Sequence, residues 1–176
     1  FDDAKKYVQK AIDINNKIPS VFVQYGEIYL MKYFQTEDKD FLTQAMHSFN
    51  NALSINPHSY HANRIMGYIY ILEKDFEKAV NHYKKAYIDV NNKSILYNIA
   101  IAYDLKGDKE EALKYFLRAS SNNPSDSICK SRFESFLVFN DFNIGHPVRI
   151  MMSRHKYKLA IKKEKRNLPD EAILNF

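Results

Sequence analysis

The chain has 176 residues, 45% of them hydrophobic and 27% charged, with a formal net charge of +5. That balance can build a core, which excludes a disordered tail, and four glycines with five prolines are too few for the turns of a sheet protein. A single cysteine, Cys129, excludes an intrachain disulfide and a thiolate metal cluster, and no stretch reaches the roughly 20 apolar residues of a membrane-spanning helix.

Apolar spacing predicts helices over 2–14, 19–34, 38–54, 59–72, 75–88, 93–105, 109–121 and 126–139, an all-α chain. The first carries Ala4, Val8 and Ala11, whose spacing of four and three puts them on one helical face. The chain opens at Phe1, without an initiator methionine and inside this helix, as an excised or processed fragment does. A cytoplasmic setting is the leading expectation, with a periplasmic or exported one still open. The second helix holds Gly26 and Tyr29. The third repeats the first pattern as Ala45, Phe49 and Ala52, with Pro57 placed to end it. Gly67 and Tyr70 then precede Ala79, Tyr83 and Ala86; Ala100 and Tyr103 precede Ala112, Phe116 and Ala119, closed by Pro124. The unit recurs at 34 residues from Ala45 to Ala79 and at 33 from Ala79 to Ala112. Gly26 stands 19 residues before Ala45, against 12 between Gly67 and Ala79, so seven residues are inserted between Tyr33 and Lys39. They predict either one extra turn on each helix of that hairpin or a longer loop.

Two antiparallel helices approach to about 8 Å only where the crossing side chains are small. Gly67 with Ala79, and Ala100 with Ala112, are expected at such crossings, with the rings filling the space between one hairpin and the next. Gly107, Asp108 and Glu111 read as a helix stop, an N-cap and a capping-box partner.

Ile99, Ala100, Tyr103, Gly107, Ala112, Phe116, Ala119 and Pro124 together resemble a tetratricopeptide repeat, with Leu96 where that family often has tryptophan. Residues 60–92 resemble the same repeat through Gly67, Tyr70, Ala79, Tyr83 and Ala86, with Asn91 in place of the closing proline. Residues 19–59 fit once the insertion is allowed, and 1–18 resemble a second helix alone. The resemblance implies a right-handed superhelical solenoid of antiparallel helix pairs. Its repeat domain is expected over 1–139, as a partial repeat 1–18, repeats 19–59, 60–92 and 93–126, and a capping helix 127–139. A basic C-terminal extension, 140–176, follows. Phe133, Phe136 and Leu137 form the buried face expected of the cap; Glu134 stands at the small crossing position, so no further full repeat is expected.

The resemblance also implies a non-enzymatic interaction module, an adaptor, scaffold or assembly factor whose concave groove takes an extended or helical segment of a protein partner. Matched position by position, that groove would be lined by Val23, Gln24 and Glu27, then Arg64, Ile65 and Tyr68, then Tyr97, Asn98, Ile101 and Asp104. This mixture of aliphatic, tyrosine and polar groups suits an amphipathic helix or a short apolar segment. Members of the family that grip a terminal carboxylate do so with lysine, arginine and asparagine. Here the equivalent positions are Val23 and Glu27, Ile65, then Ser94 and Asn98, and without cations that mode is not expected.

No phosphate-binding glycine loop, nucleophile elbow or zinc-protease motif occurs, and no cofactor is expected. His58, His61 and His82 form the one metal constellation to consider; no carboxylate or thiol completes it, so no metal is expected. Cys129, beside Lys130, is expected to be structural, and Glu110 with Glu111 complements a helix dipole. Residues 1–126 hold 16 basic and 16 acidic side chains, whereas 127–176 hold ten and five. Arg149, Arg154, Lys156, Lys158, Lys162, Lys163, Lys165 and Arg166 concentrate that excess. Val148, Met151, Met152, His155 and Leu159 recur at helical spacing, while Tyr157, Leu159 and Ile161 alternate as in a strand, so both readings of 148–168 stay open. The alternative function is an electrostatic tether to an anionic partner, an acidic protein ahead of a membrane surface or nucleic acid.

Overall fold

The computed structural model describes residues 1–87, 94–122 and 127–140. Those residues form α1 (Asp2–Ile14), α2 (Pro19–Thr36), α3 (Lys39–Ile55), α4 (Tyr60–Leu72), α5 (Phe76–Ala86), α6 (Ile95–Lys106), α7 (Lys109–Asn122) and α8 (Ser127–Phe139), and no strand. The stop expected at Pro124, the position of Asn91 and the basic stretch 149–166 lie outside the described residues, as does the side chain of Cys129.

The chain divides into two compact units, Phe1–Cys129 and Lys130–Phe176, with the division falling inside α8. In the second unit, Phe133, Phe136 and Leu137 are buried, as the spacing predicts. In the first, α2 pairs with α3, α4 with α5 and α6 with α7; α1 meets α2, α3 meets α4 and α5 meets α6 between the pairs. One core cluster runs from Val23, Tyr29 and Leu30 through Ala45, Phe49 and Ala52 to Ala62, Ile65 and Ile69, so the first hairpin shares its core with the next helix.

The inserted residues are helical. α2 and α3 have 18 and 17 residues, against 13 and 11 in α4 and α5, and only Glu37 and Asp38 connect them. Asp38 ends the longer-loop reading directly, because its carboxylate already caps α3 by accepting from Asp40 N at 2.9 Å.

The rings sit elsewhere than the spacing suggested. A Cβ on Gly26 would lie 2.7 Å from two ring carbons of Phe49, and one on Gly67 would lie 2.6 Å from two of Tyr83. Phe49 and Tyr83 therefore lie on the bare backbone of the first helix of their own hairpins, rather than between hairpins. Phe116 likewise meets Tyr97 of its own hairpin edge-on, with centroids 5.5 Å apart. The physical reason is room: a glycine opposite an aromatic residue accepts the ring's thickness, which a small residue opposite a small residue would leave empty. Ala45, Ala79 and Ala112 are still fully buried. Across the α5/α6 junction, the Lys84 ammonium lies over the Tyr103 ring at 5.1 Å and Lys106 pairs with Glu77.

The α4–α5 and α6–α7 turns share one design. Asp75 N donates to Tyr70 O at 2.9 Å and Asp108 N to Tyr103 O at 3.0 Å, and each aspartate caps the next helix. Asp108 accepts from Glu111 N as expected, but Glu111 does not return a bond. The Asp108 N–H is already given to Tyr103, and the Glu111 carboxylate pairs with Lys114 at 2.9 Å. Between helix and cap stands a left-handed residue, Gly107 (φ 88°) in one turn and Lys74 (φ 59°) in the other. A side chain in that conformation costs about 1 kcal/mol. Lys74→Gly is expected to stabilise the protein by about 0.5–1 kcal/mol in urea unfolding. An unchanged or lower midpoint would show that Lys74 offsets the strain through a contact of its own.

Candidate protein-binding surface

The first helices α2, α4 and α6 align through Gly26, Gly67 and Ala100. Three residues before, one after and five after these positions lie one turn apart on one face. They are Val23, Glu27 and Met31 on α2; Arg64, Tyr68 and Leu72 on α4; and Tyr97, Ile101 and Leu105 on α6. Exposure rises from the first residue of each line to the later two. Val23, Ile65 and Tyr97 are buried and belong to the core, so they offer a partner little area. Arg64, Glu27, Asn98, Ile101 and Asp104 are half-buried, and Gln24 and Tyr68 are exposed. At the far end Met31 is 63%, Leu72 36% and Leu105 47% exposed. Three large apolar side chains at one register, each open to solvent, form a rail across three helices. Phe34, one turn further along the lengthened α2, is also exposed and brings its ring within 6.3 Å of the Tyr68 ring.

Met31, Leu72, Leu105 and Phe34 are absent from the residues expected to line the groove. For the first three the signal is present in the sequence, as a large apolar residue five positions after each small crossing residue. It stayed hidden because an apolar residue at helical spacing reads first as core. Glu27, Arg64 and Asp104, one turn or less behind the rail, bring charges of both signs to this face.

His58, His61 and His82 differ in their surroundings. His58 and His61 are exposed. His82 Nδ1 lies 3.0 Å from Asn63 Oδ1. Asn63 is fully buried, and its amide nitrogen donates to Pro57 O at 2.9 Å and Ser59 O at 3.0 Å. That orientation leaves its oxygen as an acceptor, so His82 donates from Nδ1 and is held in one neutral tautomer. The ring stacks on Tyr70 with centroids 5.3 Å apart. Among the described residues no group of three or more histidine, cysteine or acidic side chains is placed to hold a metal ion, and no helix is long and apolar enough to cross a membrane.

Burial, and then the Lys85 charge, push His82 down to about 4 from its ordinary 6.5. Its folded value lies below its unfolded one, so its contribution to stability is full above pH 6.5 and is lost as pH falls towards 4. Unfolding free energy should therefore rise between about pH 4.5 and 7, and His82→Gln should flatten that slope relative to the parent. Parallel pH profiles for the two proteins would mean that His82 titrates normally.

Two stretches of the chain, 94–126 and 65–87, match models of the tetratricopeptide repeat. A curated relative, protein bimA of Emericella nidulans, is 26% identical over 118 residues, which cover 66% of this chain and 14% of that protein. The match thus spans only a small part of that relative's length. Among solved structures, TTC0263, a thermophilic TPR protein of Thermus thermophilus, superposes with a TM-score of 0.65 at 24% identity, over 77% of this chain and 72% of its own. MamA gives 0.67 at 17% identity, over 95% and 91%. YrrB, described as a TPR protein with an unusual peptide-binding site, gives 0.65 at 19% identity, over 78% and 68%. At these identities the likeness to solved structures is one of fold.

Proposed function

Because the chain is a tetratricopeptide-repeat protein, we propose that it is an adaptor or assembly factor that holds a segment of another protein along α2, α4 and α6. Such repeats serve in general as protein-interaction modules without catalytic activity. The observation that carries the reading is the rail of Met31, Leu72 and Leu105, exposed on three successive first helices at one register. Tyr68 and Ile101 lie one turn behind it, over a floor of Val23, Ile65 and Tyr97. An apolar row backed one turn away by Tyr68, Ile101 and the charged Glu27 suits the apolar stripe and polar edge of an amphipathic helix better than the single row of an extended strand does. Gln24, Arg64, Asn98 and Asp104 edge the surface with polar groups that set the orientation of the guest. The absence of cations at Val23, Glu27, Ile65, Ser94 and Asn98 disfavours a terminal carboxylate as the recognised feature.

The test is affinity capture with mass spectrometry, comparing wild type, Leu72→Asp with Leu105→Asp, and a deletion of 148–168. Both leucines are exposed, so the double variant should keep its helix content and melting temperature. It is expected to lose the specific partner, with affinity reduced by at least about tenfold for side chains central to an interface. A folded double variant that captures the same proteins as wild type would remove the groove from consideration. The basic residues from Arg149 to Arg166 support a second reading on charge alone, as a tether to an acidic partner. Loss of capture on deleting 148–168, with a steep dependence on added salt, would favour it.

A further inference from the structure

The second helices α5 and α7 carry their charges in a fixed order. Their N-terminal ends hold Asp75 and Glu77 in one case, and Asp108, Glu110 and Glu111 in the other. Residues 78–87 and 112–122 contain no acid, but carry Lys78, Lys84, Lys85, Lys114 and Arg118, all exposed. Lys78 reaches back to Asp75 at 2.7 Å and Lys114 to Glu111 at 2.9 Å. Among the described residues, Lys84, Lys85 and Arg118 have no carboxylate at ion-pair distance.

Tyrosine rings hold two of these three cations in place. The Lys84 ammonium lies over the Tyr103 ring at 5.1 Å, and Tyr103 stacks on Tyr115 with centroids 5.6 Å apart. The Arg118 guanidinium lies 5.3 Å from the Tyr115 centroid and 5.4 Å from that of Tyr87. Arg118 Nη2 also donates to the Tyr87 hydroxyl at 3.2 Å, which ties α7 to the residue that ends α5. That bond uses the hydroxyl oxygen as acceptor and leaves its proton to be donated. The guanidinium keeps further N–H groups, so Arg118 and Tyr87 offer donors side by side to an anion.

We propose that the C-terminal halves of α5 and α7 dock an acidic segment of a partner protein. One carboxylate is taken by Arg118 and the Tyr87 hydroxyl, and further carboxylates by Lys84 and Lys85. Cations spaced over two helices match carboxylates spaced along a chain. None of the large apolar side chains exposed among the described residues lies on α5 or α7, so the face has nothing to bury in a lipid surface. Tyr115 is engaged by Tyr103 and Arg118, and Tyr87 by Arg118, which does not leave the open rings on which nucleic-acid bases stack. The face is on second helices, apart from the rail on the first, and stands whether or not the rail binds a partner.

The probe is hexaglutamate, titrated at low salt into the full 176-residue protein. Binding is read from the backbone amide resonances of Lys85, Tyr87 and Arg118, which separates this face from the basic residues 149–166. Saturable movement of these resonances is expected, with affinity falling as salt is added. Arg118→Lys keeps the charge but loses the planar fork, and should weaken binding about tenfold. Tyr87→Phe loses the hydroxyl proton and should weaken it about threefold or more. The remaining resonances report that each variant is folded. Movement confined to residues 149–166 would overturn the proposal, and so would full affinity in either folded variant. Tighter engagement of the same amides by oligothymidine or by phosphatidylserine vesicles would overturn it in favour of nucleic acid or lipid.

Discussion

Gly67→Leu is expected to cost more than about 4 kcal/mol, a large share of the roughly 5–15 kcal/mol that holds a typical domain together. A Cβ at this position already falls 2.6 Å from two carbons of the Tyr83 ring, and the ring is itself buried, so it has nowhere to retreat. Gly67→Ala separates the two effects at work. It gains about 1 kcal/mol of helix propensity and loses about 1–3 kcal/mol to overpacking, for a net loss. Pairing it with Tyr83→Leu should recover stability that neither single change predicts, because the smaller side chain vacates the space the methyl needs. Calorimetry or urea unfolding of the parent, the two single variants and the double gives the answer. A Gly67→Ala protein more stable than its parent would mean that the Tyr83 ring does not lie on the α4 backbone.

Phe116→Ala is the other large effect, at about 3–5 kcal/mol. The ring is buried on α7 and set edge-on to Tyr97. Truncation loses the transfer free energy of the ring and leaves a cavity that rigid helices on both sides cannot close. The location inside the hairpin is tested separately, by coupling. Tyr97→Leu combined with Phe116→Ala should cost less than the sum of the two, because both remove the same aromatic contact. Strict additivity would return Phe116 to the space between hairpins, where the spacing alone had put it.

The helices were legible because small and bulky residues recur at fixed intervals. The expected 2–14 coincides with α1 at both ends, and 19–34 and 38–54 depart from α2 and α3 by no more than two residues at either end. The seven-residue insertion resolved into helix because Asp38 can cap and Glu37 tolerates a left-handed conformation, facts about two residues that periodicity does not weigh. Spacing says which residues share a face but not what faces them, and for that reason the rings were placed between hairpins. Burial was equally beyond it. Val23, Ile65 and Tyr97 share the face of Glu27, Tyr68 and Ile101, yet the neighbouring helices close over them first. Leu72 and Leu105 look like core in a one-dimensional pattern, and only the packing leaves them outside. The polar pair Asn63 and His82 could not be foreseen, since nothing local joins residues 19 apart.

The extra turn on α2 has one more effect. Repeats that copy one another offer a guest several equivalent berths, so a periodic ligand could slip by a whole unit without penalty. α2 runs past the level at which α4 stops, and Phe34 leans from that overhang towards Tyr68. If the track holds a guest as proposed, the ledge makes the berth at α2 unlike those at α4 and α6, and so favours a single frame and polarity.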